Sequence, residues 1–230
     1  MLLSLIKHIL SAQKTAPRIE TSAIERKPGV KSVLNVGGSS KQTPISDYFA
    51  GWQHDLLDID PRGGPDLVCD ARELRELTGG IYDAVYCSHN LEHYYRHEGL
   101  NVIRGFHHML HETGFAEIRV PDIAQVMAAV RERELELDDV LYQSPAGPIA
   151  AHDIVYGLQR EIQESGQDFY AHKTGFTPKS LGKILLDGGF PLVFLSTEKE
   201  HLAVHALAFK VEPTVEQCTL LQHAWELKSA

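Results

Sequence analysis

The stretch Tyr82-Asp83-Ala84-Val85-Tyr86-Cys87-Ser88-His89-Asn90-Leu91-Glu92-His93 reads as a strand that exits into a polar cluster. Such a cluster belongs beyond the carboxyl end of a strand, where open α/β sheets bind their ligands. Gly37-Gly38-Ser39-Ser40 follows another compact apolar run, Ser32 to Val36, and glycine there lets a ligand approach the backbone closely. Asp58 lies 21 residues beyond Gly37, at the end of the next apolar run. That is the place for an acid that accepts hydrogen bonds from a ribose, with Ile59 beside it. Asp70-Ala71 ends a third run, where an acid or its neighbouring amide can meet an adenine amino group; Asp70 fits the N-cap of the following segment equally well.

The glycine loop also says what the ligand lacks. A dinucleotide site needs G-x-G-x-x-G to cradle a pyrophosphate on a helix N-terminus. Here Gly38 is followed by Ser39, Ser40, Lys41 and Gln42. The pattern leans toward a nucleoside without phosphates and away from a nicotinamide-dependent oxidoreductase.

Thirteen histidines need sorting. His172 stands just before Phe176-Thr177 and is a candidate base facing a substrate, as is His93; a neutral imidazole titrates in the useful range. His152, Asp153 and Tyr156 are candidates for a substrate pocket. His107, His108 and His111 fall in a helical segment and read as packing or surface residues. His89 and His93 are four apart, but there is no H-E-x-x-H and no cysteine beside them, so no metal site is expected. Cys69, Cys87 and Cys218 are an odd, scattered set without C-x-x-C, which reads as reduced thiols.

The elements that must position these groups follow from periodicity. Apolar runs at 32–36, 55–60, 66–70, 81–88 and 115–120 alternate with helical spacing at 71–77 and 99–111, and two further runs at 192–196 and 202–209 close the series. Strands alternating with helices predict a doubly wound, mostly parallel sheet of Rossmann-like type. Residues 123–141 predict a helix with a solvated charged stretch (Arg131 to Glu136). A Pro/Gly loop at 144–148 and a helix at 150–164 follow, and Thr177-Pro178 opens another helix. The span 123–176 thus reads as a helical insertion over the sheet's ligand edge. Residues 1–30 read as an amphipathic helix plus linker, with Leu2, Leu5, Ile6 and Ile9 on one face, and residues 211–230 as a C-terminal helix.

At 230 residues, 43% hydrophobic and 23% charged, the chain suits one large globular domain. Its net charge of −9 argues against a broad nucleic-acid footprint. No apolar run reaches the ~20 residues that span a bilayer. The N-terminal apolar stretch is interrupted by Lys7 and His8, so it reads as a docking or dimer helix rather than a secretion signal. A cytoplasmic location and a homodimer through the terminal helices are the expectations.

Taken in order, these segments resemble the class I S-adenosylmethionine-dependent methyltransferases of small molecules. Val33 to Ser40 is similar to their glycine-containing first motif, Leu57 to Pro61 to the ribose-binding strand end, and Asp70 to Leu74 to the adenine-side segment. Tyr82 to His93 resembles their strand-four motif and Arg104 to Pro121 their helix–turn–strand-five unit. His172 to Thr177, with Leu181, Leu185 and Gly188-Gly189-Phe190, resembles the stretch before strand six. The resemblance spans about 31–210 and implies a seven-stranded sheet with one antiparallel strand. It also implies S-adenosylmethionine as cofactor and a small-molecule acceptor. By residue, it implies that Asn35, Gly37 and Gly38 meet the methionine portion and Asp58 and Ile59 the ribose. Asp70 and Ala71 would flank adenine, with Ser88 and His89 near the sulfonium. The chain departs from the pattern at Asn35, where an acid is usual, at Ser39 and Lys41, where glycine repeats, and at His111 to Gly114, which lacks the double glycine. A non-catalytic S-adenosylmethionine-binding or scaffold protein is therefore the alternative expectation.

Overall fold

The computed structural model describes residues 25–144 and 147–226. The amphipathic helix expected near the N-terminus lies in residues 1–24, outside the described part. Strands β1 (Ser32–Val36), β2 (Gln53–Asp58), β3 (Leu67–Val68), β4 (Tyr82–Ser88), β5 (Leu110–Pro121), β8 (Leu192–Glu198) and β9 (Ala203–Phe209) form one seven-stranded sheet in the order β3-β2-β1-β4-β5-β9-β8. All pairings through β5 are parallel, while β9 runs antiparallel to both of its neighbours. The strand order reverses between β1 and β4, and a crevice at such a switch point is where this architecture binds ligands.

Every residue of β1 and β9 is buried, as expected of central strands covered on both faces. One face carries the main core. Helix α1 (Arg96–Met109) lays Val102, Ile103, Phe106 and Met109 on it. Helix α5 (Pro178–Asp187), capped by Thr177 and opened by Pro178, adds Leu181, Ile184 and Leu185. Burying each such side chain contributes roughly 1.5–3 kcal/mol. The other face is different. Val33, Ala84, Tyr86, Phe115, Leu207 and Phe209 are covered by Phe49, by Leu221 of α6 (Val215–Glu226) and by the partly buried Ile45, Tyr48 and Trp52.

The chain between β1 and β2 thus holds a single 3₁₀ turn (Asp47–Phe49), and 3₁₀ turns also follow β2 and β3. Glycines and prolines at 37, 38, 44, 61, 63, 64 and 65 explain the absence of longer helices there. A buried polar knot holds the loop down instead. The Glu117 carboxylate accepts the Ser46 hydroxyl at 2.7 and 2.9 Å and also the Tyr48 hydroxyl, and Arg119 and His205 pair with it.

The insertion begins with α2 (Ile123–Glu132), capped by buried Asp122, which accepts from the Ala124 and Gln125 amides. The helix stops at Glu132, well short of the expected 141. A turn follows, then an antiparallel hairpin of β6 (Val140–Ser144) and β7 (Gly147–Ala150) in place of the expected loop. The expected helix at 150–164 divides at Gly157 into α3 (Ala151–Tyr156) and α4 (Gln159–Ser165). Gly157 sits at φ +96° with the Tyr170 carbonyl where a Cβ would be, so the chain must turn there. The segment leaves and returns at one point, where the Ile123 amide donates to the Phe176 carbonyl at 2.9 Å. Its small core of Val126, Ala129, Leu141, Ala151 and Ile154 closes on Leu202, in the β8–β9 turn. That turn lies at the carboxyl end of β5, so this segment stands at the carboxyl-end edge of the sheet.

Candidate functional site

At the carboxyl ends of β1 and β4, two loops fit together through missing side chains. Gly37, at φ +73°, donates its amide to the Leu57 carbonyl at 2.8 Å, and a Cβ there would lie 2.1 Å from Asn90 Nδ2. A Cβ on Gly38 would lie 2.2 Å from Asn35 Nδ2. Both positions are therefore glycine because an amide side chain packs directly on the backbone. Asn35 Nδ2 also reaches His54 Nε2 at 3.2 Å. The two amide oxygens, Asn35 Oδ1 and Asn90 Oδ1, are buried and have no hydrogen-bond partner among the described residues. Native interiors rarely leave such acceptors unpaired. Ser39 (φ 58°) and His89 (φ 51°) occupy the left-handed region without being glycine, one at each loop. Such conformations cost on the order of 1–3 kcal/mol each and cluster where ligands bind.

At the end of β2, Asp58 ties these loops together. Its Oδ2 accepts the Ser39 amide and its Oδ1 the Asp60 amide, each at 2.9 Å. Each carboxylate oxygen keeps a further lone pair for a ligand hydroxyl. Ile59 presents an exposed apolar side chain beside it. Asp70 caps the 3₁₀ turn after β3 by accepting from the Arg72 amide and pairs with the Arg72 guanidinium at 2.6 Å, while the Ala71 side chain is part of the main core.

Asp60 and Tyr170 latch the insertion to this edge. The Tyr170 hydroxyl donates to Asp60 Oδ2 at 2.5 Å and accepts from Arg62 Nη2 at 2.7 Å. The hydrogen bond from Arg62, joined by that from Tyr170, holds the Asp60 carboxyl well below the usual carboxylate range.

Beyond β4, Ser88 is half-buried and His89 exposed, and Leu91–His93 forms a 3₁₀ turn. The Glu92 carbonyl accepts the amides of Lys173 and Thr174 at 2.9 and 3.2 Å, so the returning end of the insertion docks on it. This brings His172 against His93, with ring centroids 4.6 Å apart at an interplanar angle of 77°. The Nδ1 atoms are both engaged with backbone carbonyls: His93 with Ala171 at 3.3 Å and His172 with Ile154 at 2.7 Å. A neutral ring donating from Nδ1 keeps its lone pair at Nε2. Burial lowers the His93 pKa, and the nearby His172 lowers it further against the opposing pull of Glu92. Glu92 is itself 1% exposed. Burial alone would raise its pKa, but His89, 3.6 Å away, and the charges of His172 and His93 hold it down to about 2.

The remaining candidates separate cleanly. Asp153 accepts the amides of Ala150 and Gln159 and so caps and joins α3 and α4, while His152 and Tyr156 pack ring to ring at 4.9 Å. His107 packs on Phe190, and His108 Nε2 meets the Leu77 carbonyl at 2.9 Å. Cys69 and Cys87 are buried free thiols. The sequence reading missed Asn90, Asp60, Tyr170 and Glu92 as site residues. Asn90 and Glu92 stood inside the Tyr82 to His93 motif, and nothing local set them apart from its other polar residues. The Asp60–Tyr170 contact joins distant segments and left no local trace. A cavity of about 160 Å³ lined by Lys31, Trp52, Asp83 and Thr113 lies at the opposite, amino-terminal edge of the sheet.

No family model matches the sequence, and no curated protein matches it. In structure, the chain is similar to a chain of the complex between the Haloferax volcanii Trm112 methyltransferase activator and a protein described as a methyltransferase. The TM-score is 0.51 at 10% identity, covering 82% of this chain and 86% of that one. A SAM-dependent methyltransferase of Archaeoglobus fulgidus matches with TM-score 0.46 and 17% identity over 79% of this chain and 87% of its own. A Bordetella parapertussis protein described as a possible exported protein matches with TM-score 0.48 and 15% identity over 80% of this chain, which spans 63% of that protein's length. The fold is the one seen in class I methyltransferases: seven strands, mostly parallel, with one antiparallel strand. Among the described residues no helix is long and apolar enough to cross a membrane.

Proposed function

We propose that the chain is an S-adenosylmethionine-dependent methyltransferase acting on a small-molecule acceptor. The observation that carries the reading is the pair of buried, unpartnered amide oxygens, Asn35 Oδ1 and Asn90 Oδ1, at the glycine-backed switch point beside Asp58. Two acceptors without donors suit the ammonium group of a methionine moiety, and Asp58 with its spare lone pairs suits ribose hydroxyls. Ile59 offers an apolar contact to the adenosine, and the Asp70-Ala71 segment lies along the same strand edge. Ser88 and His89 stand at the mouth of the crevice, on the side of the reacting end.

S-adenosylmethionine supplies a methyl group already activated on a sulfonium, so the protein's task is alignment of the acceptor for in-line displacement. Segment 123–176 acts as the substrate cap, held by the Tyr170 latch and by docking on Glu92. His172 or His93, which meet under this cap, is the candidate base for an acceptor's proton in the metal-free protein. Free buried thiols fit a reducing, cytoplasmic setting.

A cofactor-binding protein without turnover is the second reading, favoured by the uncharged Asn35 at the end of β1 and by Ser39 and Lys41 in the glycine loop. Calorimetric titration with S-adenosylmethionine and S-adenosylhomocysteine tests the cofactor. Micromolar binding, weakened at least tenfold in Asp58→Asn, is expected; no binding of either compound removes both readings. Product formation in an acceptor screen then separates catalysis from binding alone.

A further inference from the structure

The geometry points to a divalent transition-metal site formed by Glu92, His93 and His172. One ligand-capable atom from each residue lies within 4.8 Å of the other two, close enough for a single ion to reach all three after small side-chain movements. Two features separate this cluster from a chance meeting of polar groups. First, both Glu92 carboxylate oxygens are buried without a hydrogen-bond partner among the described residues, His89 Nδ1 at 3.6 Å being the nearest cationic candidate. An uncompensated buried carboxylate is strongly unfavourable, and a bound cation is the direct remedy. Second, the Nδ1 of each imidazole faces a main-chain carbonyl, His93 to Ala171 at 3.3 Å and His172 to Ile154 at 2.7 Å; a ring that donates from Nδ1 in this way keeps Nε2 as the donor atom, the usual arrangement of a metal-bound histidine.

The donor set chooses the ion. Two imidazole nitrogens and one carboxylate suit Zn²⁺ and its first-row neighbours, whereas Mg²⁺ and Ca²⁺ prefer oxygen alone. Three protein ligands leave a fourth position for water or an oxygen of a small molecule, the pattern of catalytic rather than structural zinc. Exposed His89 stands at the rim, where it can serve as an outer partner. The sequence shows no H-E-x-x-H and no cysteine beside His89 and His93; the third group of this cluster is His172, delivered by the returning end of segment 123–176. The ion therefore pins the cap to β4 as well as offering a coordination position. That this position holds the methyl acceptor rests on the proposed function, but metal binding does not.

The full chain, stripped with a chelator, is titrated with Zn²⁺ by calorimetry and with Co²⁺ by visible d–d absorption. One equivalent of each is expected to bind, with a Co²⁺ spectrum typical of low coordination number. His172→Gln and Glu92→Gln lower the affinity on the order of 100-fold or more, while His97→Ala, on the exposed surface of α1, binds as the wild type. Circular dichroism confirms that each variant is folded. No stoichiometric binding by the wild type, or unchanged binding in both ligand variants, overturns the site. Metal binding without any S-adenosylmethionine binding overturns the proposed function and leaves the metal site standing.

Discussion

The Asn90 amide occupies the space that a side chain at residue 37 would need: a Cβ on Gly37 would lie 2.1 Å from Asn90 Nδ2. The end of β4 is thereby seated against the backbone at the end of β1, and the two loops can shift only together. The positive φ of Gly37 makes the same demand independently.

Gly37→Ala is expected to cost roughly 1–2 kcal/mol for the left-handed backbone alone, with the overlap on Asn90 added to it. Gly37→Ala with Asn90→Ala removes the overlap and keeps only the backbone cost. Urea unfolding measures both, and a double variant no more stable than the single one would show that Asn90 does not press on this glycine. Cofactor binding should stay lost in the double variant, because the Asn90 acceptor is gone.

Glu117 makes a separate prediction about the loop between β1 and β2. Its carboxylate is fully buried and holds Ser46, Tyr48, Arg119 and His205. Glu117→Ala strands the Arg119 guanidinium and is expected to destabilise by about 3–5 kcal/mol. Hydrogen exchange should rise first across 37–52, since no α-helix anchors that stretch. A loss under 1 kcal/mol would mean the knot is incidental.

The Tyr170 latch predicts a pH response of the cap. The Asp60 carboxyl titrates below the usual range because Arg62 and then Tyr170 bond to its ionised form. A depressed native pKa contributes stability that is present above the ordinary carboxylate value, about 4. It is lost as pH falls from there through the native value. Limited proteolysis within 157–172 should therefore accelerate below about pH 4 in the wild type. Tyr170→Phe should be cleaved faster at neutral pH and show a smaller acid increment. Equal cleavage of wild type and variant at all pH values would remove the latch.

The sheet could be read from the chain because its strands are apolar runs stopped by glycine, proline and polar clusters, and those signals are local. The same holds for Gly37, Gly38 and Asp58, whose spacing along adjacent strands places them at one edge. The pairing of 140–144 with 147–150 was hidden: each is a short run beside a proline, and only the ladder between them makes strands of both. Glu92 was hidden for another reason. Its charge looks like a surface residue until Lys173 and Thr174 dock on its carbonyl and bury it.

Asn35 offers the sharpest test of what a missing acid does. Its Nδ2 lies 3.2 Å from His54 Nε2, and His54 has a lowered pKa, first from burial and then from Lys41, against opposing contributions from Asp66 and Asp55. In the wild type, protonating His54 thus costs stability as pH falls below about 6.5. Asn35→Asp is nearly isosteric and reverses that sign. A carboxylate facing His54 raises the imidazole pKa, so the contribution is fully present below about 6.5 and lost as pH rises through the native value. Above that range the variant carries an unpaired buried charge and unfolds at lower denaturant than the wild type. If the crevice receives an ammonium group, the same charge tightens S-adenosylmethionine binding, by about tenfold for each 1.4 kcal/mol gained. Denaturant midpoints at pH 5.5 and 8, with calorimetry at both, check the two effects separately. A variant whose midpoint moves with pH as the wild type's does would uncouple Asn35 from His54. Unchanged affinity would place the ammonium group elsewhere.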